Sequence, residues 1–255
     1  MMQDRFRGQP RSCEMTLIIG TAGWSISKDH ARAFPAEGSA LQRYAARFCG
    51  VEINSSFYRP HRPSTWARWH DSVPQDFRFA VKMPKAISHQ CRLSDCGEQT
   101  AAFIQNIGAL GSKLDVLLLQ LPPRLAFDAA VAGAFFKMLS GLVHVRTACE
   151  PRHASWFLPA ADRLLADLGI ARVSADPSPA AQPVAPGGCR TFEYWRLHGS
   201  PRMYRSTYGD EGMVRFLPAL MTAAARPAPS WCVFDNTAGS AAIGDAMLLG
   251  SQLQP

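Results

Sequence analysis

Short apolar runs alternate along the chain with segments of helical periodicity, from Leu17 to near the C-terminus. This order is typical of a parallel α/β protein. The predicted strands are residues 17–20, 51–54, 78–82, 116–121, 145–150, 171–176, 194–198 and 231–236. The predicted helices are residues 39–48, 64–71, 98–110, 128–140, 159–168, 211–225 and 239–249.

The segment between the sixth and seventh predicted strands has a different composition. Residues 177–190 read PSPAAQPVAPGGCR and are too rich in proline and glycine for a stable helix. We therefore predict that a loop replaces the sixth helix. No internal repeat or linker divides the rest, so residues 16–255 are predicted to form a single domain, preceded by a flexible, polar arm of residues 1–15.

The two sides of most predicted strands differ in polarity. In the strand 78–82, Phe79 and Val81 share one side, while Ala80 and Lys82 share the other. A (β/α)₈ (TIM) barrel explains this pattern, because the apolar side meets the helices and the mixed side fills the interior. A doubly wound open sheet buries both faces and favours more continuous apolar strands. The length of 255 residues also suits one such barrel.

Polar residues cluster at the two ends of the predicted strands. Arg78, Arg146 and Arg172 stand at strand starts, which predicts a position at the amino-terminal rim. The side chains at strand ends are expected to converge on the opposite mouth, where barrel enzymes bind their substrates. These residues are Glu52, Asn54, Lys82, Gln120, Glu150, Asp176, His198 and Asn236.

Composition narrows the classes of protein that fit. Hydrophobic residues make up 47% of the chain and charged residues 18%, which allows a large core. The longest apolar run, residues 116–121, is far shorter than a membrane span, and the N-terminal residues lack the apolar core of a secretory signal. Seven cysteines form no C-x-x-C pair and are interpreted as reduced thiols. We expect a cytoplasmic protein with no membrane partner.

The charge balance is basic, with a formal net charge of +7 and 22 arginines against 5 lysines. Guanidinium groups suit carboxylates and phosphates, so small anionic ligands or nucleic acid are both compatible partners. The arginines are spread along the chain and form no run, and a generally basic solvated surface is an equally good interpretation.

Glu52 and Glu150 end two strands on roughly opposite sides of the predicted mouth. Paired carboxylates divide acid and base roles in glycoside cleavage, or hold a divalent metal together with groups such as His198 and Asp235. The alternative is that both glutamates are held in ion pairs by Lys82, Arg152 or Arg196. No metal or cofactor is identified by a motif.

Lys82 and His198 each have two interpretations. Lys82 ends an otherwise apolar strand, where a lysine binds phosphate or becomes nucleophilic if desolvation lowers its pKa. The alternative is a structural pair with Glu52 or Gln120. His198 is the candidate acid–base group near neutral pH, and a buried histidine that is merely hydrogen-bonded is the rival interpretation.

Aromatic residues follow several strand ends and offer a surface for stacking. The residues are Trp24, Tyr58, Trp156, Tyr204 and Tyr208. Such rings stack on sugars or bases, but they equally often pack loops onto a barrel. The chain contains no G-x-x-x-x-G-K-[ST], G-x-G-x-x-G or G-x-S-x-G motif, so nucleotide-fold and α/β-hydrolase interpretations lack support.

Seven short motifs at the predicted strand ends occur in a recognisable order. They are GTAGWS at 20–25, VEINSSFY at 51–58, FAVKMP at 79–84 with ISH at 87–89, QLPP at 120–123, EPRHASWF at 150–157, RLHG at 196–199 and FDNTAG at 234–239. With them the chain resembles the YecE-like family, or domain of unknown function 72, from about Leu17 to the C-terminus. Asp235 stands where asparagine is frequent. The resemblance implies a (β/α)₈ barrel and carries no established activity.

The function expected from the residues is acid–base chemistry on a small anionic or sugar-like substrate, with or without a metal, in an enzyme of the hydrolase, lyase or isomerase classes. Glu52, Glu150 and His198 are the predicted catalytic residues. The predicted substrate-binding residues are Trp24, Asn54, Tyr58, Lys82, Gln120, Arg152, Trp156, Arg196 and Asn236. The alternative is a non-catalytic barrel that binds nucleic acid. No oligomeric state is predicted.

Overall fold

The computed structural model describes residues 16–180, 185–227 and 229–253. The predicted arm of residues 1–15 lies outside them. The strands are β1 (Leu17–Thr21), β2 (Gly50–Ile53), β3 (Arg78–Lys82), β4 (Leu114–Gln120), β5 (Arg146–Glu150), β6 (Ile170–Arg172), β7 (Ser174–Asp176), β8 (Gly187–Gly188), β9 (Tyr194–Leu197) and β10 (Ser230–Phe234). All eight predicted strands are present, and the sixth is divided into β6 and β7 at Val173.

Helices follow most of the strands. They are α1 (Ala40–Ala45), α2 (Pro63–Asp71), α3 (Gly97–Ile107), α4 (Ala129–Leu142), α5 (Pro159–Asp167), α6 (Gly209–Met213), α7 (Leu217–Ala224) and α8 (Ala242–Leu253). Helix α1 begins after Ser39, whose side chain accepts from the Gln42 amide while the Gln42 side chain accepts from the Ser39 amide. The single helix predicted over residues 211–225 is two short helices, α6 and α7.

The strands form two hydrogen-bonded sheets. One has four parallel strands in the order β1-β10-β9-β7, and the other has six in the order β2-β3-β4-β5-β6-β8. All neighbours in the second sheet are parallel except β8, which runs antiparallel to β6. The result is one α/β domain with helices packed on its sheets. Because the strands are parallel, the carboxyl ends within each sheet lie at one edge.

The two sheets approach each other at both of their borders. Next to β1, Ala22 forms an isolated parallel bridge with Glu52, and the Gly23 amide donates to the Glu52 carbonyl at 2.8 Å. Strands β6 and β7 belong to different sheets but are separated only by Val173, whose amide donates to the Cys149 carbonyl at 2.9 Å.

Two apolar clusters lie on the two sides of the strands. The smaller cluster includes Ala80, Ala148 and Tyr194, and the larger includes Phe79 and Leu197. The predicted alternation in β3, β5 and β9 is therefore confirmed, with the polar strand-end residues on the side of the smaller cluster. Small residues on that side leave room for large rings, and Tyr194 stacks on Trp231 with centroids 6.0 Å apart.

The alternation in the sixth predicted strand is confirmed, but its orientation is the reverse of that expected. Ala171 belongs to the smaller cluster, and Arg172 points to the helices. There Arg172 Nε donates to Asp162 of α5 at 3.0 Å. Asp176 is bound by Tyr208 and Arg215, at 2.7 and 2.8 Å, and not by the strand-end cluster. The prediction was wrong because a period of two groups residues by side without stating which side faces inward.

The segment predicted to replace the sixth helix by a loop is described in two parts. Between β7 and β9 the described residues, 177–180 and 185–193, contain no helix. Strand β8 lies there instead, and Asp162 accepts from the Gly188 amide at 2.8 Å. Gly188 has φ +64°, and a Cβ at this position would lie 2.4 Å from the Ile170 carbonyl oxygen. Glycine is therefore required for this close approach.

Two further expectations concern cysteines and membranes. Cys91, Cys96, Cys149, Cys189 and Cys232 are free thiols, whereas Cys49 is disulfide-bonded, contrary to the expectation for that residue. Within the described ranges, no helix has the length and apolar character needed to cross a membrane.

Candidate functional site

A buried arginine, Arg196 of β9, organises the charged side chains at the strand ends. The alternation of β9 puts Arg196 on the inner side, between Tyr194 and His198, and Arg196 has no solvent exposure. Its Nε donates to Glu52 Oε2 at 2.9 Å, and its Nη2 donates to Glu52 Oε1 at 2.7 Å. This is the two-pronged guanidinium–carboxylate geometry that gives strong, directional pairs.

The same guanidinium binds two more carboxylates. Nη1 donates to Glu150 Oε2 at 2.5 Å, and Nη2 donates to Asp235 Oδ2 at 2.8 Å. Burial alone would lower the pKa of Arg196, but Glu150, Glu52 and Asp235 outweigh burial and raise that pKa. Arg196 is therefore a permanent cation that joins carboxylates from β2, from β5 and from the residue after β10.

Glu52 has a second partner in Tyr194. The Tyr194 hydroxyl donates to Glu52 Oε2 at 2.9 Å. Burial and the adjacent Glu52 raise the pKa of Tyr194 well above its ordinary value, so the phenol keeps its proton. Two residues of β9, Arg196 and Tyr194, therefore hold the Glu52 carboxylate in place.

His198 lies between two carboxylates of the network. Its Nδ1 is 3.1 Å from Asp235 Oδ2, and its Nε2 is 3.0 Å from Glu150 Oε1. Nη2 of Arg152 is also 2.7 Å from Nε2. With Nδ1 protonated, Nε2 has an acceptor and a donor as neighbours. A neutral ring accepts from Arg152, and a protonated ring donates to Glu150, so both protonation states have a hydrogen-bond partner at Nε2.

Glu150 is the carboxylate with the most cationic neighbours. Besides Arg196 it forms an ion pair with Arg152, and Gln120 Nε2 donates to its Oε1 at 3.4 Å. Burial would raise the pKa of Glu150, but the charges of Arg152 and Arg196, together with His198, hold it well below the ordinary value. Glu150 is thus ionised at neutral pH.

Lys82, the last residue of β3, differs from these residues in having no bonded partner. It is only 4% exposed, and its Nζ lies 4.2 Å from the centroid of the Phe57 ring. Among the described residues, no carboxylate forms an ion pair with it and none of them hydrogen-bonds to its ammonium group. Burial first, and Arg196 second, lower the pKa of Lys82 to about 8.

Two other buried polar atoms lack partners among the described residues. They are Nε of Arg152, at the site, and Oδ1 of Asn54, in the turn that follows β2. A buried donor or acceptor that is left unpaired costs stability. These atoms and Lys82 are therefore the places where an additional ligand gains most.

Exposure separates the site into two layers. Glu52, Glu150, Arg196 and His198 are fully buried, whereas Lys82 and Asp235 each keep 4% of their surface. The side chain of Arg152 keeps 10%. The outer layer, formed by Lys82, Asp235 and Arg152, is therefore the part that a ligand meets first.

The formal charges of the site are balanced. Arg152, Arg196 and Lys82 supply three positive charges, and the carboxylates of Glu52, Glu150 and Asp235 supply three negative charges. The third carboxylate, Asp235, shares the inner side with Trp231 and Val233 by alternation along β10. Lys82 is the cation of this set that forms no direct ion pair with any of the three carboxylates.

Several residues predicted for substrate binding lie elsewhere. Trp24 packs edge-on against Trp69 of α2, with ring centroids 5.1 Å apart. Trp156 is buried in the larger cluster and donates from Nε1 to the Leu125 carbonyl at 2.9 Å. Tyr58 is 75% exposed and touches Phe57 edge-on. None of these three rings contacts the charged network.

Asn236 also points away from the network. Its Nδ2 donates to Asp245 of α8 at 2.6 Å and to the Ser206 carbonyl at 2.9 Å. Asp245 further accepts from the amides of Tyr208 and Gly209 at 3.0 and 3.1 Å. Asn236 and Asp245 thus anchor the loop that follows β9.

That loop carries Tyr204 to the site. The Tyr204 ring meets the His198 ring edge-on, with centroids 5.5 Å apart. Burial, opposed by Arg152, raises the pKa of Tyr204. From the sequence, Tyr204 is only one of several aromatic residues after strand ends, because its place in the loop does not determine where its ring lies.

Among the network members, Tyr194 is not singled out by the sequence, and Asp235 is identified there only as a candidate metal ligand. The position of Tyr194 was accessible in principle, since it shares an inner side with Arg196, which was identified. Both sides of β10 are apolar, so its alternation could not tell Asp235 from Asn236 as the inward residue.

The carboxylates do not form a metal site. Across residues 16–180, 185–227 and 229–253, no group of three or more His, Cys, Asp or Glu side chains has an arrangement that could hold a metal ion. Arg196 stands between the carboxylates that such an ion would need, and bonds to three of them.

The fold and the site together define an α/β protein that gathers a buried ion-pair network at the carboxyl ends of its parallel strands. Residues 18–255 match the model of the family described as "Protein of unknown function DUF72". The chain belongs to this family.

Two curated relatives carry family-level names without an activity. The chain is 30% identical to the UPF0759 protein YecE of Escherichia coli (strain K12) over 175 residues, which is 66% of this chain and 62% of that protein. It is 28% identical to the UPF0759 protein YunF of Bacillus subtilis (strain 168) over 56% of this chain and 53% of that protein. The chain thus matches less than two thirds of the length of these relatives.

Solved structures of the same family share the fold. A DUF72 family protein from Enterococcus faecalis V583 superposes with a TM-score of 0.78 at 19% identity, over 93% of this chain and 95% of that chain. Another from Thermotoga maritima MSB8 superposes with a TM-score of 0.77 at 22% identity, over 94% of this chain and 99% of that chain.

Proposed function

We propose that the chain is an enzyme acting by acid–base chemistry on a small anionic or sugar-like substrate at the carboxyl ends of its strands. The observation that carries this proposal is Lys82, a residue only 4% exposed whose ammonium group has no bonded partner among the described residues. Burying an unpaired charge is costly, so such a group is unusual where it serves the fold alone.

The proposal includes the closure of residues 16–255 into a single (β/α)₈ barrel. The bridge between Ala22 and Glu52 supports closure at one border of the two sheets. The succession of β6 and β7, with Val173 between them, supports it at the other. In a barrel, the strand ends face one mouth, which is the usual place of the active site in this fold.

Substrate binding is assigned to the outer layer of the site. Lys82 and the unpaired Nε of Arg152 donate to an anionic group, and the unpaired Oδ1 of Asn54 accepts from a hydroxyl. Gln120 is partly exposed next to Glu150 and completes this polar wall. An anion here would gain charge-assisted hydrogen bonds, which are stronger than neutral ones.

Proton transfer is assigned to Asp235, His198 and Glu150. His198 joins the two carboxylates through its two ring nitrogens. Asp235 is the member of this set that keeps some solvent exposure, so it connects a bound substrate to the buried histidine. Glu52 is assigned a supporting role, since Arg196 and Tyr194 occupy both of its oxygens.

The test is stabilisation by anions. Inorganic phosphate, glucose 6-phosphate and citrate are titrated while the melting temperature of the purified chain is followed, since a ligand of the folded state raises it. We expect a saturable rise in the wild type and its loss in Lys82→Ala and Arg152→Ala. Lys137→Ala and Arg163→Ala, which alter exposed residues of α4 and α5, are the matched controls.

Equal shifts in the wild type and in both site variants would refute the anion site. Non-catalytic binding of nucleic acid has less support, because several arginines are already paired with carboxylates, such as Arg172 with Asp162 and Arg215 with Asp176. A strongly salt-dependent shift of DNA or RNA by the chain, without any effect of small anions, would favour that alternative.

A further inference from the structure

The nitrogen of Lys82 is placed next to carboxylates without being bonded to them. Glu52, Glu150 and Asp235 act on it electrostatically, yet each of these carboxylates hydrogen-bonds to Arg196 instead. The nitrogen also lies over the apolar ring of Phe57, 4.2 Å from its centroid. A lysine bound by a carboxylate is fixed as a cation, whereas this lysine is free to lose a proton and present a lone pair.

We propose that Lys82 is a nucleophile that forms an imine with the carbonyl carbon of a small aldehyde or ketone substrate carrying an anionic group. This inference rests on the proposed function, because Arg152 is taken to bind the anionic group. It adds a substrate class, carbonyl compounds, and a covalent step.

The step balances without any co-reactant. The ammonium group of Lys82 first gives up one proton, and the lone pair of Nζ attacks the carbonyl carbon, forming the C–N bond. The C–O bond then breaks, and the oxygen leaves as water with two of the three ammonium protons. One proton remains on the iminium nitrogen. Asp235, the least buried of the carboxylates that act on Lys82, is not bonded to Nζ and is assigned the exchange of these protons through water.

The charges of the site favour this product. An iminium replaces an ammonium, so the balance of three cations and three carboxylates is unchanged. The positive iminium also remains under the influence of Glu52, Glu150 and Asp235, which stabilise it electrostatically. A neutral amide or an anionic carbamate at Lys82 would lose the positive charge that these carboxylates compensate, so the network suits an iminium better than either adduct.

The acidity of Lys82 supports the same chemistry. Burial and the charge of Arg196 lower its pKa to about 8. At pH 7, about a tenth of such an amine is neutral, which is roughly two hundredfold more than for an ordinary lysine. Desolvation of a lysine is a common means of making it a nucleophile.

The experiment traps the imine by reduction. The chain is incubated with glyoxylate, an anionic aldehyde, or with acetaldehyde, an uncharged one, and then reduced with sodium cyanoborohydride. The resulting secondary amine is located by peptide mass spectrometry, which is simple because the chain contains five lysines. Rates are measured from pH 6 to pH 10 in the wild type, in Lys82→Arg, and in Lys137→Arg as the control.

We expect modification of Lys82 at pH 7 to be at least about tenfold faster than that of Lys137, after allowance for the lower basicity of the Lys82 amine. Its rate should rise with an apparent pKa of about 8, and glyoxylate should react faster than acetaldehyde. Lys137→Arg should leave the Lys82 rate unchanged. Modification of Lys82 no faster than that of Lys137 with either aldehyde would overturn the inference.

Lys82→Arg separates this inference from the proposed function. Arginine keeps the positive charge but forms no imine, so the stabilisation by phosphate should persist while trapping at this position is lost. If the wild type is stabilised by phosphate and Lys82 is not trapped, the imine is refuted and the anion site stands. If Lys82 is trapped but phosphate has no effect, the nucleophile stands and the anion site is refuted.

Discussion

Arg196 and Glu52 are joined by two hydrogen bonds, of 2.9 and 2.7 Å, although their strands belong to different sheets. Both residues are fully buried. The pair therefore connects the four-stranded sheet to the six-stranded sheet through their shared interior. Through Glu150 and Asp235 the same guanidinium reaches two further strands, so the site is also part of what holds the fold together.

Removing the guanidinium should strongly destabilise the chain. In Arg196→Met, three buried carboxylates lose their common partner, and breaking one buried pair already costs about 3–5 kcal/mol. We expect the free energy of unfolding in urea at pH 7 to fall by at least that amount.

Two further variants test the reason for this loss. Arg163→Met alters an exposed residue of α5 and should change stability by less than about 0.5 kcal/mol. Arg196→Lys keeps the charge but loses the two-pronged geometry, so it should restore only part of the stability. A stability loss in Arg196→Met no larger than in Arg163→Met would contradict the structural role of the network.

The network shows which parts of the site can be predicted from the sequence. Alternation along β3, β5 and β9 put Lys82, Glu150 and Arg196 on one side, because each of these strands has one clearly apolar side. Alternation could not assign the inner side of the strand 171–176, where Arg172 finds its partner Asp162 on a helix. Which arginine pairs with which carboxylate depends on contacts between residues up to 144 positions apart, and no local pattern encodes these.

The aromatic residues show the same limit. Trp156 and Trp24 follow strand ends, as a substrate platform would, but their rings pack against Phe127 and Trp69. The position of a residue just after a strand tells where the backbone leaves the sheet, but it does not determine the direction of a long side chain. Lys82 was predictable because it lies within a strand, where the pleat sets the direction of the side chain.

Acid should weaken the fold through the carboxylates of the network. The folded-state pKa of Glu150 lies well below its ordinary value, and that of Asp235 is also lowered. Unfolding returns both groups to about 4.3 and 3.9. The unfolded chain therefore binds protons at a higher pH than the folded chain. Their stabilising contribution is complete above about pH 5 and is lost as pH falls through the folded-state values.

The measurement is the free energy of unfolding by urea from pH 7 to pH 3, in the wild type and in Glu150→Gln. The variant is expected to be less stable at pH 7 and to lose less stability between pH 5 and pH 3, because one of the depressed groups is gone. Identical pH dependence in the two proteins would show that Glu150 is not held ionised by Arg152 and Arg196.

Asp235→Asn should strengthen anion binding. The amide retains one oxygen that can accept from Arg196 or His198, but the site then has three cations and two carboxylates. A unit charge at roughly 8 Å, with an effective dielectric constant of about 20, is worth about 2 kcal/mol, so phosphate affinity should rise by about tenfold or more. Thermal shift titration measures this change, with Asp167→Asn on α5 as the exposed control. Weaker phosphate binding in Asp235→Asn would show that the negative charge of Asp235 supports phosphate binding and does not oppose it.

Lys82→Met should stabilise the chain at pH 7. Lowering the pKa from 10.5 to about 8 means that the folded state disfavours the protonated amine by roughly 3 kcal/mol. Methionine fills a similar volume beside Phe57 without a charge, so part of this cost, about 1–3 kcal/mol, should be recovered.

The stability gained by Lys82→Met should depend on pH. The pKa of Lys82 is lower in the folded state than in the unfolded state, so the folded wild type binds fewer protons than the unfolded chain between about pH 8 and 10.4. The stability of the wild type therefore rises with pH across that window. The advantage of Lys82→Met in urea unfolding should therefore shrink from pH 7 to pH 10, whereas Lys137→Met, at an exposed position, should track the wild type throughout. A residue whose removal stabilises the fold is retained for another reason, and a destabilised Lys82→Met would instead indicate that Lys82 has a structural role in the network.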